Sequence, residues 1–406
     1  MNKKPLKKKE VINILNNIKV LKRRVEKIDI KDSINRIIAE DITSPINVPP
    51  FNNSAVDGYA IQNVDINKFN NYRVVARIAA GQNKVVKLRT GEAVRIFTGS
   101  KMPDNANTVV MQEAAIEKDN FVSFISQPSK NSNWRRAGED IRKGKLIFKK
   151  GTMIKTSTQS MIASMGIRKI KVFNKLKIGF FTSGNELVNP SKKLIGSKIN
   201  NSNQYTLFSL ISKFGFQPTY LGRLTDNPKN INNSIIKKIN KFDVIITTGG
   251  ASVGDEDHLV KIIKKIGNLI FWKIAIKPGR PFAFGIVKRK PIICLPGNPV
   301  SVFLLFLMII KPFLNKLSGS TFKEPRSFPA KINFNMNKKS MRMEWLRVKI
   351  EKKYINQIVL NRYLKQGSGV VSSIEFSDGI IEIPENVSRL KIGDVFNFYP
   401  NESLFD

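Results

Sequence analysis

The chain has 406 residues, and its 69 Lys+Arg against 31 Asp+Glu leave a formal charge of +38. A single Cys (Cys294) and a single His (His258) exclude Cys/His zinc sites, Cys-x-x-Cys redox chemistry and a disulfide framework. The length predicts roughly two to four domains, and 41% hydrophobic with 9% aromatic residues predicts folded rather than disordered segments.

A charge of this size suits a polyanionic partner, but its distribution does not. Lys, Ile and Asn are overused in loops and helices alike, as a compositional drift produces, and only Lys3–Lys9 is a dense basic run. No aromatic RNA-binding signature, basic zipper or Cys/His finger accompanies it, so no nucleic-acid partner is expected. The strongest apolar run, Val302–Ile310, is too short to span a bilayer, and Met1–Glu10 leads into an amphipathic segment rather than a signal-peptide core. A soluble, cytoplasmic protein without a membrane partner is the expectation.

In chain order, helical spacing predicts a helix over Val11–Ile28 and a second over Ser33–Glu40, ended by Pro45–Phe51. Short β segments follow at Tyr72–Ala79, Ala93–Thr98 and Thr108–Gln112, separated by Gly and Asn turns. A polar loop, Trp134–Leu146, returns to a helix at Ser157–Met165, which is expected to pack with the N-terminal helices around the inserted β domain. From Lys175 strands and helices alternate: strand Leu176–Phe181, helix Asn203–Phe214, strand Gln217–Leu224, helix Ile231–Ile239 and strand Asp243–Thr248. Helix Leu259–Ile266, strand Pro291–Leu295 and the long helix Pro299–Leu317 complete the series. Such alternation predicts a doubly wound parallel α/β sheet with ligands at the carboxyl ends of its strands. Short strands from Ser327 onward, such as Glu344–Ile350 and Ile380–Ile383, predict a small β-barrel or sandwich. The expected division is residues 1–44 with 141–174 (helical, N-terminal), 45–140 (inserted, β-rich), 175–322 (α/β) and 323–406 (β-barrel).

The α/β segment carries four loops where such a sheet puts its ligands. Thr248 is followed by Gly249 and Gly250, which supply positive-φ freedom for a sharp turn. Ser252, Val253 and Gly254 then offer uncovered backbone N–H groups, and Asp255, Glu256 and Asp257 follow at once. Thr182–Glu186, Thr225–Asn227 and Leu295–Pro299 are the other three, the last feeding the N-terminus of the long helix. Lys273 and Lys277 would share one face of an extended segment, where two cations grip a phosphate or oxyanion. Taken singly, each loop reads equally as a cap or an ordinary turn; four on one sheet edge favour a shared anion site. Acids so near a phosphate call for a divalent cation between them.

The stretches TTGGASVGDED, FTSGNEL, WKIAIKPGRPFAFG and LPGNPVSVF resemble, in order and spacing, the molybdopterin molybdenumtransferase family, the molybdenum insertases. Pro49–Ala60, Arg95–Gly99 and Ala137–Ile141 are similar to its N-terminal hallmarks, so the resemblance spans nearly the whole chain. It implies insertion of molybdate into adenylylated molybdopterin with release of AMP, aided by Mg²⁺, in an elongated four-domain homodimer whose cleft draws on both subunits. The molybdopterin adenylyltransferase and apo-molybdoenzymes are the implied further partners.

Residue by residue, the resemblance carries over Asp57, Thr98, Asp140, Lys273 and Lys277 as catalytic positions. Gly249, Gly250, Ser252, Gly254 and Asp257, with Pro296, Gly297 and Asn298, would hold the pterin or its phosphate. Glu186 and Asp226 would serve metal or adenylate, and Lys277, Ser301 and Arg347 would receive molybdate. Molybdate is a dianion, so Lys, Arg and hydroxyl groups suit it, and cleaving a phosphoanhydride needs positioning more than a side-chain nucleophile. Arg280 stands where the family often has Lys, and Asn185 replaces a frequent Asp, which removes one possible metal ligand.

Three other readings compete. A molybdopterin adenylyltransferase typically reads TGGTG rather than TGGASVG and lacks the flanking β modules. A non-catalytic scaffold of the same fold would not need Asp57, Asp140, Glu186, Asp257 and Lys277. A nucleic-acid binder would rest on the charge alone.

Overall fold

A computed structural model describes residues 4–20, 22–63, 69–225, 227–250, 258–354 and 357–405. The chain packs as two units: Lys27–Ile34 with Glu40–Lys171, and Met1–Glu26 with Asn35–Ala39 and Val172–Asp406.

The larger unit begins with α1 (Lys8–Asn17), whose Val11 and Leu15 lie one turn apart and are both buried. The helix expected to run to Ile28 stops at Ile18, where the backbone turns extended, and Val25–Asp29 is a strand. Val25 and Ile28 are β-branched, and strand pairing suits them better than a helix interior does. The second expected helix, Ser33–Glu40, does not form: Asn35 sits at φ 60°, a left-handed conformation that a helix interior does not hold. Among the described residues up to Glu40, the helical elements are α1 and a 3-10 turn at Ile30–Asp32.

The smaller unit is built on a six-stranded sheet of β1 (Gly58–Ile61), β2 (Tyr72–Ile78), β3 (Glu92–Ile96), β4 (Thr108–Met111), β5 (Ala115–Lys118) and β6 (Phe121–Phe124). Its order is β4-β1-β3-β2-β6-β5, with only β2 and β3 parallel. Side chains alternate across it: Tyr59 and Ile61 enter one buried cluster with Tyr72 and Val110, and Ala60 enters another with Ile96 and Val109. Helix α2 (Thr156–Ser164) follows in the same unit, and α1 lies against the helix Lys311–Leu317 of the larger unit.

The α/β part of the larger unit runs through β7 (Lys177–Ser183), α3 (Ser202–Lys213), β8 (Gln217–Leu224), α4 (Pro228–Lys238), β9 (Val244–Thr248) and α5 (His258–Ile266). It continues with β10 (Asn268–Trp272), β11 (Ile276–Lys277), β12 (Ala283–Val287), β13 (Lys290–Leu295), α6 (Pro299–Leu305) and α7 (Lys311–Leu317). The sheet order is β8-β7-β9-β13-β12-β10. The first four strands are parallel as predicted, but β12 and β10 run antiparallel to their neighbours, so the sheet is mixed. The cause is local: β12 joins β13 through the two-residue turn Lys288-Arg289, both residues left-handed (φ 47° and 65°), the geometry of a tight hairpin.

Helices α3, α6 and α7 cover one face of the sheet and α4 and α5 the other, each burying its own aliphatic cluster. Pro299–Leu317 is a continuous 19-residue helix that contains a π segment, Phe306–Ile310. With a mean hydropathy of 1.8 it has the length and composition of a membrane span, yet 83% of that window is buried inside the fold, so it is a core helix.

The C-terminal strands are β14 (Phe328–Ile332), β15 (Met343–Tyr354), β16 (Gln357–Arg362), β17 (Gly379–Ile383) and β18 (Val395–Pro400). The order β15-β16-β14-β18-β17 closes on itself through a β15–β17 pairing, giving a five-stranded barrel around Leu346, Val348, Leu360, Ile381 and Phe398. Strand β11 adds in parallel to β15, which sets Ile276 beside Met343 and Lys277 beside Glu344.

Candidate functional site

The carboxyl ends of β7, β9 and β13 are level, because the register pairs Thr182 with Thr248 and Thr248 with Leu295. The turns after them therefore meet at one edge. The Gly249 N–H donates to the Leu295 carbonyl (3.0 Å), and Gly249 and Gly250 have φ of 82° and 67°. A Cβ on Gly249 would lie 2.4 Å from the Ser183 carbonyl oxygen, so both conformation and space demand glycine there. The N-terminal ends of α3 and α6 adjoin this edge, where Asn203 donates to the Gly297 carbonyl (2.7 Å). Asn298, at the N-cap of α6, makes no side-chain capping bond; Pro299 has no N–H, and the Val300 N–H goes to the Ser368 carbonyl (3.1 Å).

Polar atoms line the edge. Asn201 donates to the Thr182 hydroxyl (2.9 Å), which also pairs with the Tyr220 hydroxyl (3.0 Å). The hydroxyls of Thr247 and Thr248 and the Asn203 side-chain oxygen are buried with no partner among the described residues. Buried polar atoms are rarely orphaned unless something else completes them. Glu186 is exposed and folds back over Gly184, while Pro296 and Ser301 are buried and Gly297 and Asn298 exposed. Ser252, Gly254, Asp257 and Asp226, the remaining candidates for this edge, lie outside the described residues.

The two lysines do not share a face of one strand as alternation predicted. Lys273 sits at φ 70° between β10 and β11, so the extended run breaks there, and its ammonium rests 4.0 Å from the centre of the Trp272 ring. Lys277 pairs with Glu344 (2.8 Å), a carboxylate that is buried while the lysine stays exposed. Lys338 and Arg342 face the same carboxylate; burial lowers both from their ordinary values, with Lys277 pressing on Lys338 and Arg280 on Arg342. Lys277, Lys338 and Arg342 about Glu344, with Arg280 beside Arg342 and Glu385 beside Lys338, leave the place positive, suited to a dianion. No local spacing marks Glu344, Lys338 and Arg342, because the β11–β15 pairing that sets Lys277 beside them is long-range.

Arg347 is buried, and its donors are taken by the Ser373 hydroxyl (3.2 Å), the Trp345 carbonyl (3.3 Å) and the Gly367 carbonyl (3.3 Å). Burial, partly countered by Glu344, brings it down to about 10, so it is charged at neutral pH. Its neighbour in that loop, Ser368, accepts the Val300 N–H in the first turn of α6 (3.1 Å). The guanidinium thus supports the loop that braces α6.

In the smaller unit, Asp57 accepts from both the Thr98 N–H (2.8 Å) and the Thr98 hydroxyl (2.7 Å). Arg95 lies over the rings of Tyr59 (4.9 Å) and Phe97 (5.0 Å), and Arg77 also lies over Phe97 (4.8 Å). Asp140 exposes its side chain on a loop tied by its N–H to the Val48 carbonyl (3.1 Å). The Thr98 N–H first, then its hydroxyl and the Arg95 charge, hold the Asp57 carboxyl below its ordinary 3.8. A depressed carboxylate stabilises the fold above its unfolded value and loses that contribution as pH falls through the folded value. Carboxyl NMR should therefore find the Asp57 midpoint below 3.8 and Thr98→Val should raise it part-way back. An unmoved midpoint in that variant would show that the hydroxyl bond is not made.

Three family models match consecutive stretches: the MoeA N-terminal region (domain I and II) at residues 6–166, a probable molybdopterin binding domain at 179–316, and the MoeA C-terminal region (domain IV) at 329–400. They place the chain in the class of molybdenum-cofactor biosynthesis proteins built around that α/β domain. A molybdopterin molybdenumtransferase of Haemophilus influenzae is 35% identical over 386 residues, 94% of this chain and 95% of that one. A putative molybdopterin biosynthesis protein of Methanocaldococcus jannaschii is 36% identical over 387 residues, 93% and 92% of the two chains. Among solved structures, the molybdopterin biosynthesis moeA protein from Pyrococcus horikoshii OT3 superposes with a TM-score of 0.82 at 28% identity, covering 97% of this chain and 99% of that one. The chain belongs to the molybdopterin molybdenumtransferase family.

Proposed function

We propose that the protein inserts molybdate into adenylylated molybdopterin and releases AMP. The observation that carries this reading is the glycine-dependent loop edge, where the turns after β7, β9 and β13 meet the N-terminus of α6. Backbone N–H groups at such an edge hold phosphate without a charged side chain. Orphaned Thr247, Thr248 and Asn203 atoms supply further bonds to a polar ligand.

Molybdate goes to the cationic cluster, with Lys277 oriented by Glu344 and Ser301 at the first turn of α6. Arg347 acts behind this site by bracing the loop around Gly367 and Ser368. Asp57, Thr98 and Asp140 belong to the β-rich unit and complete a cleft formed with a second subunit. A cytoplasmic homodimer is part of the same reading; Tyr205 and Phe208, exposed on α3, are apolar surface of the kind a second copy covers.

Magnesium is the implied cofactor, and the described residues do not by themselves fit it. They contain no group of three His, Cys, Asp or Glu side chains that could hold a metal, and at the loop edge Glu186 offers one exposed carboxylate. What the chain's own residues supply is positioning and charge neutralisation of a phosphoanhydride and an oxyanion.

Incubation of the purified protein with adenylylated molybdopterin, molybdate and Mg²⁺ should release AMP and yield a product that activates an apo-molybdoenzyme. AMP release no greater than that of a boiled control would remove the enzyme reading.

A further inference from the structure

The amino ends of the parallel strands, where β9 and β13 begin, border a cleft of about 340 Å³. The five residues of β9 separate it from the loop edge, a distance of about 17 Å at strand rise. Val20, Ile286 and Leu317 contribute an apolar floor. Lys19, Arg23, Arg289 and Lys290 also line it, and Asp243, the one carboxylate among the described lining residues, pairs with Lys290 (3.8 Å).

Two features show that this is more than a charged hollow. Arg23 uses two nitrogens, pairing with Asp243 (3.3 Å) and donating to the Asn174 carbonyl (2.6 Å). Its Nε is buried and has no acceptor among the described residues, an arrangement that costs stability unless a ligand supplies one. The second feature is the hairpin turn. Lys288 and Arg289 both hold left-handed backbone that Asn-Gly would adopt with less strain, and the turn carries Arg289 to the rim.

We propose that this cleft binds a small anion bearing an apolar ring, an aryl or heterocyclic phosphate or carboxylate. The ring lies on the Val20, Ile286 and Leu317 floor, and the anionic group sits between Arg23, Arg289 and Lys290. A cleft of this size lies in the range of small-ligand sites, and a floor of aliphatic side chains beneath a few placed charges is how such sites combine affinity with orientation. The site is independent of the molybdate reading, because none of its residues belongs to the loop edge or to the cluster around Glu344.

Calorimetric titration with 1-naphthyl phosphate tests it, with 1-naphthol and inorganic phosphate as probes of each half. The aryl phosphate should bind saturably, and both half-probes at least about tenfold more weakly. A double variant, Arg289→Gln with Lys290→Gln, should weaken this binding by about tenfold or more. Val20→Trp, which fills the floor, should do the same, and AMP release should be unchanged in both. Equal affinity in the wild type and either variant overturns the proposal. Inorganic phosphate binding as tightly as the aryl phosphate also overturns it, since the charge alone would then suffice.

Discussion

Gly249→Ala should reduce AMP release by about two orders of magnitude, the cost of a catalytic loop displaced by roughly 1 Å. The residue has φ of 82°, where an L side chain costs about 1–2 kcal/mol. The new Cβ also meets the Ser183 backbone oxygen at 2.4 Å, and a backbone atom cannot rotate away as a side chain can. The turn after β9 must therefore shift against the turn after β7, which breaks the Gly249 to Leu295 hydrogen bond and reshapes the edge. Urea unfolding should show a loss of about 2–4 kcal/mol. Gly81→Ala is the comparison: φ there is 81° but nothing lies within 4 Å, so only the conformational cost of about 1 kcal/mol should appear, with activity intact. Activity in Gly249→Ala within twofold of the wild type would eliminate the phosphate-cradle reading.

Arg347→Met should destabilise the larger unit by about 3 kcal/mol, because two buried acceptors and one part-buried acceptor lose a charged donor together. Those acceptors are Trp345, Gly367 and Ser373, and the side chain that satisfies them is 2% exposed. Loosening of the loop that meets Val300 should lower AMP release in parallel with stability, and Arg347→Lys should restore part of both. A direct hold on molybdate predicts something different: Arg347→Met would melt normally and raise the KM for molybdate alone. Melting temperature and the KM-against-kcat split, measured on the same preparations, distinguish the two roles.

Much of the α/β part was legible because its signals are local. The sequence pattern marks Gln217–Leu224 as a strand with its observed bounds, and a β-branched run followed by paired glycines marks the strand and turn at Gly249. Periodicity failed where a second principle competed with it. Val11–Ile28 has helical spacing, yet α1 stops after Asn17 because the following residues find strand and loop partners elsewhere in the chain. The segment from Trp272 to Lys277 alternates like a strand, yet Lys273 turns left-handed and ends β10, so the two lysines take different surroundings. The strands β10 and β12 are not legible in the sequence, because short apolar runs near Gly and Pro look alike in loops and in edge hairpins.

The amino-acid sequence by itself determined the family, the alternation that builds the sheet and the positions where only glycine suits the turns, since each of these is written in neighbouring residues. Tertiary structure alone decided which charges meet. Lys277 finds Glu344 through the β11–β15 pairing, Arg347 is buried against Ser373 and the Gly367 carbonyl on the face of β15 opposite Leu346 and Val348, and Arg23 meets Asp243 beneath the amino ends of the strands. Pairings between residues far apart in the chain depend on register and burial, and spacing along the chain records neither.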